Sequence, residues 1–138
     1  MDEVSVFVEV KINPTESADK VKQAIENIFG NVKVKVQSTY NADLLMAEAG
    51  GLESLTKLYN LLRRERIRDA ARRVFVEGLD EKTITFCLNK QVAFAGHISF
   101  SKEVAESPLG PIKVKIKCDN PRELVDWLVQ KTIQDDKK

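Results

Sequence analysis

At 138 residues and 15.6 kDa, with 31% charged side chains, the chain has the make-up of one folded domain; area scaling has folding hide roughly 68% of such a chain's extended surface, enough for a core without metals or disulfides. A formal net charge of +1 argues against general stickiness toward polyanions, and two cysteines are too few for a disulfide framework. No run approaches the roughly eighteen apolar residues of a membrane helix, and the acidic start Met1-Asp2-Glu3 leads straight into a strand pattern, so a cytoplasmic protein is expected.

Val4, Val6, Val8, Val10 and Ile12 alternate with Glu3, Ser5, Glu9 and Lys11, the period of a half-buried strand. Asn13-Pro14-Thr15-Glu16 reads as an N-cap, a proline at the first helical position and a carboxylate at the third. Val21, Ala24, Ile25, Ile28 and Phe29 then trace one helical stripe ending at Gly30. Val32, Val34 and Val36 alternate with Lys33, Lys35 and Gln37 in a second strand, and Thr39 to Gly51 is expected to be loop.

Leu52, Leu55, Leu58, Tyr59 and Leu62 form a second helical stripe, set about 110° from that of Ile67, Ala70, Ala71 and Val74 at 100° per residue. One straight helix cannot bury both, so two helices, or one bent sharply near Arg63 to Glu65, are predicted. Thr83–Leu88 and Val92–Phe100 read as strands joined by a hairpin at Asn89-Lys90-Gln91. After a loop from Glu103 to Pro111, Ile112, Val114 and Ile116 alternate with Lys113, Lys115 and Lys117 in a fifth strand. Asn120-Pro121-Arg122-Glu123 opens a last helix with Leu124, Trp127, Leu128 and Ile133 inward, and residues 135–138 form a fraying tail. Five strands each burying one parity predict a single α+β domain over residues 1–138, a two-layer sandwich of a mainly antiparallel sheet with helices on one face. The same parities place Cys87 and Cys118 on opposite kinds of face, so both are expected as free thiols.

The basic residues are unevenly spread. Six of the seven arginines fall between Arg63 and Arg73, against only Glu65 and Asp69 in that stretch. Arginine's planar fork holds phosphate or carboxylate through paired hydrogen bonds, so such a cluster points to an anionic partner. On one helix Arg64, Arg68 and Arg72 would stand in a row of roughly 6 Å steps, able to follow a phosphate backbone. The same residues also suit a self-paired surface, with Asp69 reaching Arg72 and Arg73, and Glu65 reaching Arg68. A second candidate is the sheet's outer face, where Lys33, Lys35, Lys113, Lys115 and Lys117 gather near Glu3, Glu9 and Lys11; cross-strand Lys–Glu pairing is the ordinary reading of that pattern. Phe7 is the single aromatic expected outward on these strands, so the multi-aromatic base stacking of the RNA-recognition motif is not expected.

His97 has no cysteine or carboxylate at metal-ligand spacing, and no phosphate-cradling glycine loop or nucleophile elbow occurs; neither a metal, a cofactor nor a catalytic constellation is expected. An enzyme would need a pocket joining His97 or a carboxylate pair such as Glu48 and Glu53.

The ordered set Asn13-Pro14-Thr15-Glu16, Arg66-Ile67-Arg68-Asp69-Ala70-Ala71-Arg72, Leu88-Asn89-Lys90-Gln91-Val92-Ala93, Pro108-Leu109-Gly110-Pro111-Ile112 and Asp126-Trp127-Leu128 resembles an archaeal family of small proteins, uncharacterised protein family 0201. The resemblance spans nearly the whole chain. It implies a fold similar to ribosomal protein L-five and a role as an RNA-binding protein or exosome subunit, with Arg66, Arg68, Asp69, Arg72, Asn89, Lys90, Gln91 and Gly110 at the family's motif positions. Together these readings predict a non-catalytic RNA-binding accessory protein of archaeal RNA processing or ribosome-related machinery. Arg64, Arg68 and Arg72 would hold phosphates, flanked by Arg66 and Arg73, with Lys90 adding a contact. The alternative is an assembly subunit, with a homodimer as one form, whose arginines dock an acidic protein surface.

Overall fold

The computed structural model describes residues 3–38, 40, 43–101 and 110–130. The loop residues 103–109, Ile133 and the 135–138 tail lie outside them. The chain runs β1 (Ser5–Ile12), α1 (Ala18–Glu26), β2 (Lys33–Ser38), β3 (Asp43–Gly50), a 3₁₀ turn (Leu52–Leu55), α2 (Thr56–Arg64), α3 (Arg68–Glu77), β4 (Thr83–Asn89), α4 (Lys90–Phe94), β5 (Phe100–Ser101), β6 (Pro111–Lys117) and α5 (Pro121–Leu128). One open antiparallel sheet holds all the strands in the order β2-β3-β1-β6-β4-β5.

The valines of β1 put one parity of the sheet into the core, and β3, β6 and β4 join it through register. Val8 lies opposite both Ala47 and Val114, and Val114 opposite Phe86. These residues bury with Val21, Ala24 and Ile25 of α1, Leu58 and Leu62 of α2, Phe75 of α3 and Leu124 and Leu128 of α5 in one cluster. Phe75 meets Phe86 at a centroid distance of 4.9 Å and Phe100 edge-on at 5.6 Å, fixing α3 over β4 and β5. The sheet is therefore covered on one face and open on the other, as the alternation predicted.

Three local expectations are corrected. Residues 43–50 are not loop but the strand β3, paired on both sides by β1 and β2. Leu, Met, Ala and Glu favour helix on their own, and the two flanking strands override that preference. The Val92–Phe100 strand and its hairpin are replaced by the short helix α4 and a two-residue β5. Asn89 caps α4, its Oδ1 accepting from the Val92 amide at 3.0 Å, and the helix ends before Gly96 at φ +81°. Asn13 does not cap α1. Glu16 Oε1 turns back to accept from the Asn13 amide at 3.0 Å, and Ser17 is the cap, accepting from Lys20 N at 3.2 Å. The expected start of the last helix holds: Asn120 Oδ1 accepts from Glu123 N, with Pro121 at the first position. Cys87 and Cys118 are buried thiols outside any disulfide, and burial pushes the Cys118 thiol up.

Candidate nucleic-acid interface

The arginine segment bends where the two stripes require it. Helix α2 stops at Arg64, Arg66 takes a left-handed backbone at φ +57°, and α3 starts at Arg68. The consequence is a correction: Arg64, Arg68 and Arg72 do not form one row, because the reversal places them on two helices. Helix α5 explains where much of the cluster goes. Its last carbonyls have no partners within the helix, and arginines from α2 and α3 supply the donors. Arg63 Nη1 donates to Leu128 O and Tyr59 O, each at 3.1 Å, and Nη2 to Trp127 O at 3.4 Å. Arg72 Nη1 donates to Val129 O at 3.2 Å while Nη2 pairs with Asp126 Oδ1 at 2.7 Å. Arg63 also lies 3.4 Å over the Tyr59 ring, which in turn packs on Trp127 at 4.6 Å. Burial, with Arg68 nearby, lowers the Arg63 pKa.

Arg64 donates to Gly96 O at 3.0 Å and reaches Glu65 at 3.5 Å, with its side chain still 63% exposed. Glu65 is taken by the α4 side of the molecule, accepting from the Ile98 amide and lying 2.6 Å from His97 Nδ1. Burial alone would raise the Glu65 pKa; the hydrogen bonds and charge of His97, Ile98 and Arg64 outweigh it and hold the carboxyl below its ordinary value. Glu65 thus pairs with none of the arginines α3 carries, and Asp69 is not the partner of Arg72. The side chains of Arg66, Arg68 and Arg73 form no hydrogen bond or ion pair among the described residues, and Arg66 and Arg73 are exposed.

Lys90 is the clearest departure from the expected site. Its side chain is 1% exposed, and Nζ donates to Lys11 O at 2.7 Å and Glu16 Oε1 at 2.9 Å. Because Asn89 starts a helix instead of a turn, Lys90 points under the sheet's end and cannot meet an external phosphate. Burial pushes the Glu16 pKa up, but the Asn13 and Lys90 contacts prevail and leave it lowered.

The lysines of the sheet tell a different story. Register sets them in rows on the open face: Lys33–Glu48–Phe7–Lys115–Thr85 in one, and Lys35–Met46–Glu9–Lys113–Cys87 in the next. Lys11 and Lys117 extend the same face beyond these rows. All six lysines are exposed, and despite facing Glu48 and Glu9 across strands none has an ion pair within 4 Å among the described residues. The ordinary expectation of cross-strand Lys–Glu pairing is thus not met. Phe7 and Met46 form the apolar floor of a broad hollow of about 1100 Å³, which the end of α3 borders through Val74 and Glu77. Met46 and the strand position of Glu48 escaped the sequence reading because that reading made 39–51 a loop; the weak alternation of Leu45, Ala47 and Ala49 was the available signal. No group of three or more His, Cys, Asp or Glu suited to a metal occurs among the described residues, and none of their helices is long and apolar enough to cross a membrane.

Fold and surface together define a two-layer α+β domain with an open, lysine-rich sheet face. A family model described as RNA binding matches residues 5–118. The UPF0201 proteins of Sulfurisphaera tokodaii and Sulfolobus acidocaldarius are 46% and 47% identical to this chain over 127 residues, covering 92% of it and 88% of each relative. The crystal structure of a UPF0201 protein from Methanococcus jannaschii matches with a TM-score of 0.84 at 33% identity, over 93% of this chain and 94% of that one. The chain belongs to the UPF0201 family, as its motifs indicated.

Proposed function

We propose that the protein binds RNA through the open face of its sheet, as a non-catalytic accessory protein of RNA-processing or ribosome-related machinery. The observation that carries the reading is the set of exposed lysines on β1, β2 and β6, without ion pairs among the described residues, which share one face only because the sheet order sets those strands within three strand spacings of one another. Folded proteins keep such groups solvated at little gain, whereas a phosphate backbone releases counterions on meeting them. The family model described as RNA binding lends support, since it covers every strand that builds this face. Four lysine–phosphate contacts on a single strand give a salt slope of about −2.8, so tripling the salt should weaken binding roughly twentyfold. Fluorescence anisotropy with a labelled RNA across a salt series tests this. Replacing Lys33, Lys35, Lys113 and Lys115 together by alanine should lower affinity and flatten the slope; an unchanged affinity in that variant refutes the reading.

Arg66, Arg68 and Arg73 favour a second reading, an assembly subunit whose α2–α3 corner docks an acidic protein surface, with self-association through the sheet edge as one form. Partners that survive nuclease treatment in a pull-down, and are lost when these three become alanine, would support it over the first.

A further inference from the structure

We infer that the sheet face selects single-stranded over duplex RNA, seating one unpaired base on Phe7 with its edges turned toward Glu48 and Glu9. The inference rests on the RNA-binding reading and concerns how charge is distributed across the face. Five of the six lysines lie on the flanks, Lys33 and Lys35 on β2 and Lys113, Lys115 and Lys117 on β6, with Lys11 alone at the end of β1, while the carboxylates Glu48 and Glu9 lie on the two strands between, β3 and β1. From β2 to β6 is three strand spacings, about 14 Å. In the middle of that span Phe7 sits half-buried, directly opposite Glu48 on one side and Lys115 on the other, with Met46 diagonal to it at 39% exposure.

A duplex presents a uniformly anionic exterior. Laid on this face, its phosphates would meet two carboxylates and an apolar ring at the centre of the contact, where repulsion and lost hydration both count against it. A single strand presents the complementary pattern. Its backbone can follow the lysines of one flank, spaced about 7 Å apart along a strand, while an unstacked base turns inward. The base's flat face then covers Phe7 and Met46, and its exocyclic amino groups find acceptors in Glu48 or Glu9. The ring also explains itself this way: a phenylalanine on the solvent side of a central strand, beside charged neighbours and in the lining of the hollow, has an apolar surface the fold covers only in part. One ring gives one stacking place, not the several of the RNA-recognition motif.

The test compares a labelled mixed-sequence ribo-oligonucleotide with the blunt duplex made by annealing it to its complement. The single strand should bind at least tenfold more tightly. Phe7→Ala should weaken single-strand binding by roughly fivefold to a hundredfold, the range for one base–aromatic stack, and leave the salt slope unchanged. Phe7→Leu keeps apolar bulk for folding but lacks the ring and should weaken binding in the same direction, whereas Phe7→Tyr should retain it. Equal or tighter duplex binding, or full single-strand affinity in Phe7→Leu with an unchanged melting temperature, overturns the inference. Loss of binding in the four-lysine variant alongside either of those results would leave the RNA-binding reading standing and remove only the strand selectivity; no loss in the four-lysine variant removes both.

Discussion

Replacing Lys90 by methionine isolates the buried ion pair. Methionine nearly matches lysine in volume, so the substitution removes a charge and its hydrogen bonds while leaving little cavity. In the native protein Glu16 Oε1 receives Lys90 Nζ at 2.9 Å together with the Asn13 amide and side chain, and Oε2 is buried without a hydrogen-bond partner among the described residues. Removing the cation strands a carboxylate whose side chain is only 7% exposed, and breaking a buried pair in this way costs about 3–5 kcal/mol. For a chain of this length that corresponds to a drop of about 10–20 °C in melting temperature.

The pH dependence fixes the cause. With Lys90 present the folded Glu16 pKa is lowered, so its contribution to stability is present above the unfolded value of about 4.3 and is lost as pH falls through the folded pKa. With Lys90 gone, burial is opposed by the Asn13 contacts alone, the folded pKa moves up, and the stability Glu16 contributes above its unfolded pKa shrinks. The gap between native and Lys90→Met stabilities should therefore be wider at pH 7 than at pH 4. Adding Glu16→Gln to Lys90→Met should recover part of the loss, since the stranded group is then neutral. Urea melts followed by circular dichroism at both pH values provide the measurement. A gap below about 1 kcal/mol, or one equal at the two pH values, refutes the assignment of Lys90 as a structural residue, as would weakened RNA binding by folded Lys90→Met.

Further outcomes follow from the α2–α3 corner and the sheet edge. Arg63→Ala, which frees three backbone carbonyls, should cost about 2–3 kcal/mol in urea denaturation, while Arg73→Ala should stay within about 0.5 kcal/mol. Equal effects would mean Arg63 does not cap α5. Arg66→Gly relieves a left-handed backbone at φ +57° and should raise stability by about 1 kcal/mol; a lower melting temperature would show that the side chain is stabilising the fold. Gly78→Ala places a Cβ 1.9 Å from Thr85 O, a backbone clash that should cost about 3 kcal/mol and show as a sharply lowered melting temperature. A variant as stable as the parent would mean α3 does not press so closely on β4.

Much of this molecule is written along the chain as spacing. The valines of β1, the stripes of α1, α2 and α3, the lysine alternation of β6 and the Asn-Pro start of α5 each record which side of an element faces the core. Burial imposes those periods whatever the element's partners are. The break between α2 and α3 was equally legible, expected near Arg63 to Glu65 and found at residues 65–67, because two apolar stripes at different angles cannot be buried by one straight helix. Residues 43–50 were not legible in the same way, since their side chains favour helix when isolated and become strand only between β1 and β2. Asn89 suits both a turn and a helix cap, so the type of residue alone did not separate hairpin from α4.

The sequence by itself thus determined the fold class, the family, two thiols outside any disulfide and a chain with clustered arginines and alternating lysines. Only the tertiary structure decided what those cations do. Arg63 finds Leu128 and Lys90 finds Glu16 across separations of 65 and 74 residues, while the lysines of β2 and β6, far apart in the chain, come to share one face without ion pairs among the described residues. Helix ends and buried acids demand donors from whatever lies nearest in space, and nearness in space is set by sheet order and packing, which no local period encodes.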